Sequence, residues 1–310
     1  MLPVKLFYQE KGLFLQSLHP LAAFVYLGTL LVLSLIFAHP LYLLGILLVT
    51  VLALREADGL ETWESYLKMA LFMMVPVMII NPLVVYAGQT VIWQGPRIPV
   101  LGRLSVSLEA VCYGAVMGVR LLDIISVFCL YNLIVHPDKA LNLFSRPAGK
   151  SVLVIALATR MFPALVRDME NIRSVQQMRG VDFNSGSLRE KVWKYAALIN
   201  ILLLSSLEDS LAIAESMQAR AFGSGPRTCY DRNLWRPRDI IFLTGGVAAL
   251  GAGIWGLLHG FGSYTFYPQT DYLIKGPGTV AVLLAVLFSL SIPLVIGWGC
   301  GRWHYLMSKI

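Results

Sequence analysis

The sequence predicts an all-α polytopic membrane protein with about six transmembrane helices and a cytoplasmic pair of long amphipathic helices. Hydrophobic residues make up 57% of the chain and charged residues only 14%, whereas soluble proteins carry about 25% charged residues. The apolar residues also occur in long runs, and a run of about 20 can cross a bilayer as a helix. Composition and run length together argue against a soluble globular domain.

The basic residues are clustered rather than spread along the chain. The net charge is +7, and ten of the 25 Lys and Arg residues lie in 136–194, with five more in 216–238. In a membrane protein such clustering marks the cytoplasmic side. An anionic lipid surface or an acidic protein partner explains this charge better than nucleic acid does.

The first predicted domain, 1–135, is built from transmembrane helices. Ala38-His39-Pro40 separates its first two spans, because the residue before a proline disfavours helix. A segment rich in turn-forming residues, 88–103, is predicted to be a loop before the last span. The four predicted spans of this domain are 21–38, 41–54, 66–87 and 104–135.

The second predicted domain, 136–238, alternates amphipathic helix with charge. Its apolar patches, 151–165 and 196–207, are too short or too interrupted to be assigned as spans, and whether they enter the bilayer stays open. The third domain, 239–310, contains a transmembrane hairpin and a tail, with spans at about 240–260 and 279–299. Six spans place both termini in the cytoplasm, although Arg97 and Arg103 would then lie outside.

Two amphipathic helices in the middle domain end on arginine. Apolar residues recur at steps of three and four in each helix, so that each helix carries one apolar stripe. Arg179 and Gly180 close the first helix, and glycine is a favoured helix terminator. Arg220 lies near the end of the second. The stripes are Leu165, Met169, Ile172, Val175 and Met178, and Leu203, Leu207, Leu211, Ala214, Met217 and Ala221.

These two helix ends resemble a known motif pair. Gln177-Met178-Arg179-Gly180 and Gln218-Ala219-Arg220-Ala221 are similar to the paired Ala-Arg-Gly motifs of energy-coupling factor transporters, in the transmembrane T component. The two motifs follow one another within a basic block of a membrane protein. The resemblance extends to a leader ending in His-Pro and to a second His-Pro turn in the early helical hairpin.

The resemblance implies a function and a set of partners. A T component of this family joins two ABC-type ATPases to a small substrate-binding membrane protein, the S component, in the importer of a vitamin or a transition-metal ion. The two amphipathic helices would be coupling helices in a prokaryotic cell membrane. Arg179 and Arg220 would each enter a groove on one ATPase, and the small neighbours Gly180, Ala219 and Ala221 would permit close approach.

Two positions depart from the family motif. Met178 replaces an alanine in the first motif, and Ala221 replaces a glycine in the second. Both arginines are present, so the docking role is retained while the fine geometry at each site is left open. A basic residue favoured by the negative end of the helix dipole is the structural alternative for both arginines.

A second candidate site lies inside a predicted span. Arg120 and Asp123 are three residues apart, so they share one face of a helix. Charges inside a membrane are expensive and often functional. The two residues are therefore predicted to form an intramembrane ion pair, with either a functional or a purely structural role.

The chain carries no recognisable catalytic, metal or nucleotide motif. No phosphate-binding GxxxxGK[ST] loop, HExxH pair or GxSxG turn is present, so we expect no catalytic residue, no metal and no cofactor of its own. ATP and Mg²⁺ would be bound by partner subunits. The four cysteines lack metal-ligand spacing and are predicted to be free thiols.

Two other classes of function remain as alternatives. A self-sufficient secondary transporter would need paired charges in several spans and often an inverted repeat, yet only the 104–135 segment carries such charge. An intramembrane enzyme would need a convergent catalytic set, and none is recognisable in the sequence.

Overall fold

A computed structural model describes residues 15–85, 88–98, 102–135, 150–183, 185–225, 235–268, 270–273 and 276–302. The chain divides into two compact units, one formed by Met1–Ala140 with Asn233–Ile310 and the other by Leu141–Arg232. The first part of the predicted leader, the segment around His136 and the predicted C-terminal tail lie outside the described residues. The predicted domain bounds stay a prediction.

The first unit is a helical bundle. A short 3-10 helix, Leu15–Ser17, precedes the first long helix, and the hydrophobic core lies among the first, second and fourth α-helices and the two last helices of the chain. The elements of this unit are α1 (Pro20–Ile36), α2 (Pro40–Glu56), α3 (Leu60–Val84), β1 (Val91–Ile98), β2 (Gly102–Ser107), α4 (Leu108–Ile134), α7 (Pro237–Leu258) and α8 (Pro277–Arg302).

Both His-Pro pairs begin a helix. The Nδ1 atom of His19 accepts the Leu21 amide at 3.2 Å, and the Nδ1 atom of His39 accepts the Leu41 amide at 3.3 Å. The proline that follows each histidine occupies the first helical position, where its missing N–H is not needed. The predicted break between the first two spans is therefore confirmed, and it doubles as the N-terminal cap of α2.

The predicted loop between the third and fourth spans is instead a β-hairpin. β1 and β2 pair antiparallel, with Ile98 opposite Gly102 and Val91 opposite Ser107, and the register shifts twice along the ladder. A run rich in glycine and proline predicts turns, but edge pairing of two short strands tolerates both residues at irregular positions. The fourth span consequently starts at Leu108, four residues later than expected.

Glycines on two faces of α7 let α1 and α8 approach closely. A Cβ atom added at Gly246 would lie 3.4 Å from the hydroxyl of Thr29, and one added at Gly245 would lie 2.9 Å from a backbone carbonyl of α8. The Thr29 hydroxyl also donates to the Gly246 carbonyl at 3.3 Å. Small residues of this kind are the usual basis of helix packing in membranes.

Hydrogen bonds from side chains to the backbone join the starts of α1 and α7. The carboxylate of Asp239 accepts the His19 amide at 3.0 Å and the Arg236 amide at 2.9 Å. The Arg238 guanidinium donates to the Ser17 carbonyl at 2.7 Å. The last helix is fastened by the buried Tyr26 hydroxyl, which donates to the Leu290 carbonyl at 2.9 Å.

The second unit consists of two long helices, α5 (Lys150–Met178) and α6 (Leu188–Ala219). The predicted patches 151–165 and 196–207 are interior parts of these helices. Leu198 is buried, whereas most large apolar side chains along α6 are exposed. The predicted pair of long amphipathic helices is confirmed as a pair of helices, and their exposed apolar faces are available for contact with other molecules.

Five of the described helices are long and apolar enough to cross a membrane, by length and composition. Four of them match the predicted spans in α3, α4, α7 and α8, and the fifth is α6. The first two predicted spans correspond to α1 and α2, which have 17 residues each and are about 26 Å long. The all-α polytopic fold class is confirmed.

The glycine contact between α7 and α1 can be tested with a matched pair of substitutions. We expect Gly246→Leu to destabilise the bundle by roughly 1–3 kcal/mol, because the new side chain would overpack the interface. Gly251→Leu on the same helix should have little effect, since no atom lies within 4 Å of a Cβ placed there. Thermal unfolding in detergent measures both, and equal losses from the two variants would contradict this packing.

Candidate functional site

The first predicted docking site lies where α5 ends. The Gly180 amide donates to the Gln177 carbonyl at 3.0 Å, and the Val181 amide donates to the Gln176 carbonyl at 3.1 Å. Gly180 has a φ angle of +91°. These are the two hydrogen bonds and the left-handed residue of a Schellman cap, and Arg179 occupies its C-cap position.

The second predicted docking site, at the end of α6, has the same cap. The Ala221 amide donates to the Gln218 carbonyl at 2.9 Å, and the Phe222 amide donates to the Met217 carbonyl at 3.0 Å. Arg220 is the C-cap residue. The left-handed position is taken by Ala221, with a φ angle of +53°, although a side chain in this conformation is strained.

The two arginines therefore occupy equivalent positions at the ends of two long helices. We call Met178, Arg179 and Gly180 the first tip, and Ala219, Arg220 and Ala221 the second tip. All six residues are exposed. Within the described part of the chain, neither guanidinium forms a hydrogen bond or an ion pair. Both cationic groups are thus free to meet an external partner.

The tips stand far apart along α6. The turn after the first tip packs on the start of α6, where the rings of Phe183 and Tyr195 lie 5.5 Å apart. The second tip follows the other end of this 32-residue helix, which is about 48 Å long at 1.5 Å per residue. The two arginines can therefore contact two different partner surfaces at the same time.

The turn between α5 and α6 is held by side chains that the sequence prediction did not single out. Phe183 is 3% exposed, and the Arg173 guanidinium carbon lies 5.8 Å from the centre of its ring. Ser187 and Glu190 form a capping box at the start of α6. The Ser-x-x-Glu spacing is visible in the sequence and could have located this helix start.

The predicted ion pair between Arg120 and Asp123 is not formed. Arg120 donates instead to the carbonyl of Phe37 at 2.7 Å and to the sulfur of Met117 at 3.5 Å. Asp123 is fully buried, and neither of its carboxylate oxygens has a hydrogen-bond partner. Sharing one helix face does not fix the direction of a long side chain, and the Arg120 side chain turns to the C-terminal end of α1.

No group of three or more His, Cys, Asp or Glu residues within the described ranges could hold a metal ion. Cys112 and Cys129 are free thiols, while Cys229 and the side chain of Cys300 fall outside what the structure describes. The expectations of no metal, no cofactor and no catalytic residue in this chain stay predictions.

Comparison with known proteins identifies the family. The family model CbiQ, described as cobalt transport protein, matches residues 14–230. This range is more than half of the chain and includes both tips. The fold is that of a multi-pass helical membrane protein, and the chain belongs to the CbiQ family of cobalt transport proteins.

Individual relatives carry the name energy-coupling factor transporter transmembrane protein EcfT. The protein of Streptococcus thermophilus is 37% identical over 114 residues, which are 36% of this chain and 43% of that protein. The protein of Lactobacillus helveticus is 34% identical over 106 residues, covering 34% and 38%. That of Macrococcus caseolyticus is 22% identical over 213 residues, covering 65% and 78%. The predicted resemblance to a T component is confirmed, and the matches span less than half the length of the first two relatives.

The two caps respond differently to exchange of glycine and alanine. We expect Ala221→Gly to stabilise the end of α6 by about 0.5–1 kcal/mol, because glycine adopts the left-handed conformation without strain. Gly180→Ala should destabilise the end of α5 by about 1 kcal/mol. Hydrogen exchange of the Phe222 and Val181 amides reports the two caps, and faster exchange of Phe222 in Ala221→Gly would contradict this geometry.

A double-mutant cycle tests the side-chain arrangement around Arg120. Arg120→Gln should destabilise the bundle through loss of the bond to the Phe37 carbonyl. Asp123→Asn should destabilise the bundle little, because the carboxylate that it replaces has no hydrogen-bond partner. The two effects should be independent, so we expect an interaction energy below about 0.5 kcal/mol in equilibrium unfolding in mixed micelles. An interaction energy of about 3 kcal/mol or more would show a buried ion pair instead.

Proposed function

We propose that this protein is the transmembrane coupling subunit of an ATP-driven importer of the energy-coupling factor type. It would link two ABC-type ATPases to a small membrane S component that binds the substrate. The observation that carries this proposal is the pair of equivalent, exposed arginines at the C-caps of α5 and α6.

Arginine is suited to the proposed docking. Its planar guanidinium presents a fork of donors that matches a carboxylate in a bidentate arrangement. The glycine or alanine after each arginine leaves room for a partner's backbone to approach. Truncating one member of a buried charged pair at an interface costs roughly 2–5 kcal/mol, so two such contacts are strong enough to hold a subunit while it changes shape.

The length of α6 supports two ATPases rather than one. About 48 Å separates the first turn of this helix from the second tip, and a continuous helix transmits displacement along its axis without loss of internal hydrogen bonds. Closure of two ATPases that hold the two tips would therefore move α6 as one rigid unit. This movement is the proposed route from ATP hydrolysis to the membrane.

The S component would be held by apolar contacts. Large apolar side chains are exposed along α6, and contiguous exposed apolar surface marks an interaction site. A vitamin or a transition-metal ion is the proposed class of substrate, and its selection would rest with the S component. The exposed residues along this face are Ile199, Leu203, Leu204, Leu207 and Leu211.

The proposed location is the cell membrane of a prokaryote, with both termini in the cytoplasm. The basic segments 136–194 and 216–238 would then lie on the cytoplasmic side, together with the ATPases. We further propose that the chain is not an enzyme and that ATP and Mg²⁺ are bound by the partner ATPases alone. Nucleic acid has no role in this proposal.

Charge reversal at both tips tests the docking role. We expect Arg179→Glu combined with Arg220→Glu to leave membrane insertion intact while removing both ATPases, since the new carboxylates would repel the acidic grooves. Co-purification of the ATPases with the tagged chain is the measurement. Capture of both ATPases at wild-type strength would show that the tips do not dock them.

The matched control is Arg167→Glu, which reverses an exposed arginine in the middle of α5. It should retain both ATPases, because it lies away from either tip. A secondary transporter, by contrast, would drive uptake from an ion gradient in vesicles that contain this chain and no ATPase, and the proposal expects no such uptake.

A further inference from the structure

The turn between α5 and α6 carries unusually exposed apolar side chains. Trp193 is 71% exposed, Leu188 is 85% exposed, and Met178 of the first tip is 79% exposed. Val192 is exposed beside them. Large exposed apolar side chains on one turn and the helix ends beside it mark an interaction site. We call these four residues the Trp193 patch.

The patch stands on a firmly held turn. The Lys194 ammonium donates to the Asp182 carbonyl at 2.6 Å and to the Ser185 carbonyl at 3.0 Å. The ring of Phe183 is buried in the same turn and packs against the ring of Tyr195. The backbone that carries Trp193 is therefore held in place, and a tryptophan side chain has only two χ angles to order when it binds.

Hollows flank Trp193 on two sides. One, of about 330 Å³, is lined by Trp193 and by Gln176 and Val181, the residues that bracket the cap of the first tip. The other, of about 410 Å³, is lined by Trp193 together with Arg189 and Glu190. A protruding tryptophan between two hollows suits the shaped surface of a protein, whereas a fluid bilayer offers no fixed projections to fill them.

The charge around the patch favours an acidic partner. Four basic side chains, those of Arg179, Arg189, Lys191 and Lys194, outnumber the acidic side chains of Asp182 and Glu190 between residues 178 and 195. Interface centres that combine tryptophan and arginine carry much of the binding energy in protein complexes. Gln176 and Val181, which precede and follow Arg179, line a hollow together with Trp193, so a partner that meets Arg179 would lie close to this basic rim and to the Trp193 patch.

The second tip lacks an equivalent surface in its described part. After Arg220 the described chain continues only to residue 225, with Phe222 as its one large apolar side chain and with two glycines. The caps of the two tips are alike, but their surroundings differ. A partner that fits the first tip would therefore meet different side chains at the described residues 221–225.

We propose that the Trp193 patch and Arg179 form one docking surface that selects one of two different ATPases. This inference rests on the proposed function, because it assigns to the patch the same partner that would hold the first tip. Arg179 would supply the charged contact common to both tips. Trp193 would supply the apolar contact that distinguishes the first tip from the second.

The test uses the full chain, purified with its two ATPases in nanodiscs, with each ATPase quantified by mass spectrometry. We expect Trp193→Ala to weaken retention of one ATPase by about tenfold or more. The ATPase lost should be the one lost in Arg179→Glu, and the one lost in Arg220→Glu should stay. Trp193→Phe should restore most of the binding.

Phe162→Ala is the control, since it truncates another exposed aromatic residue, in the interior of α5 and away from both tips; it should retain both ATPases. If Trp193→Ala retains both ATPases while Arg179→Glu loses one, the patch has no selective role and the coupling function stands. If Arg179→Glu also retains both, the coupling function itself fails. Two ATPase subunits of identical sequence would also overturn selection.

Contact with the bilayer is the remaining outcome. Brominated lipids quench tryptophan fluorescence within the membrane, and the difference between the wild type and Trp193→Phe isolates the emission of Trp193. We expect this emission to be quenched little by brominated lipids in the assembled complex. Strong quenching would place the patch in the lipid and would overturn its assignment as a protein docking surface.

Discussion

Helix ends expose backbone groups that have no partner inside the helix, and a bilayer offers them no water. Several hydrogen bonds between residues far apart in the sequence satisfy such backbone groups in this protein. The carboxylate of Asp239 accepts hydrogen bonds from backbone amides at the starts of α1 and α7. The guanidinium of Arg120 donates a hydrogen bond to the carbonyl of Phe37, just after the end of α1. At the ends of α5 and α6, backbone amides of the following residues donate to the carbonyls of the last turn and form a cap.

This choice of cap has a functional consequence. A helix end satisfied by its own backbone needs no neighbouring side chain as a cap, so the side chain at its C-cap position stays available to a partner. The Schellman caps after Met178 and Ala219 leave Arg179 and Arg220 without protein partners among the described residues. Capping thus supplies the stable, exposed cations on which the proposed coupling depends, and it does so twice with the same hydrogen bonds.

The sequence predicted what depends on local pattern. Run length located the spans in α3, α4, α7 and α8 but not α6, which is also long and apolar enough to cross a membrane. Glycine after Arg179 located the end of α5. The sequence did not show the bond from Arg120 to Phe37, which joins residues 83 positions apart, because helical spacing reports a shared face and not the groups opposite that face. The left-handed Ala221 and the buried Phe183 were missed for related reasons: alanine carries no signal for this conformation, and burial of an aromatic ring in a turn depends on the packing of both helices.

The most direct measurement of the central claim is a reconstruction by electron cryomicroscopy of the chain assembled with its ATPases and membrane partner. We expect the guanidinium groups of Arg179 and Arg220 to lie in acidic grooves of two separate ATPase subunits, at opposite ends of α6. A map in which either group faces lipid or the far side of the membrane, or in which both groups reach a single ATPase, would contradict the account.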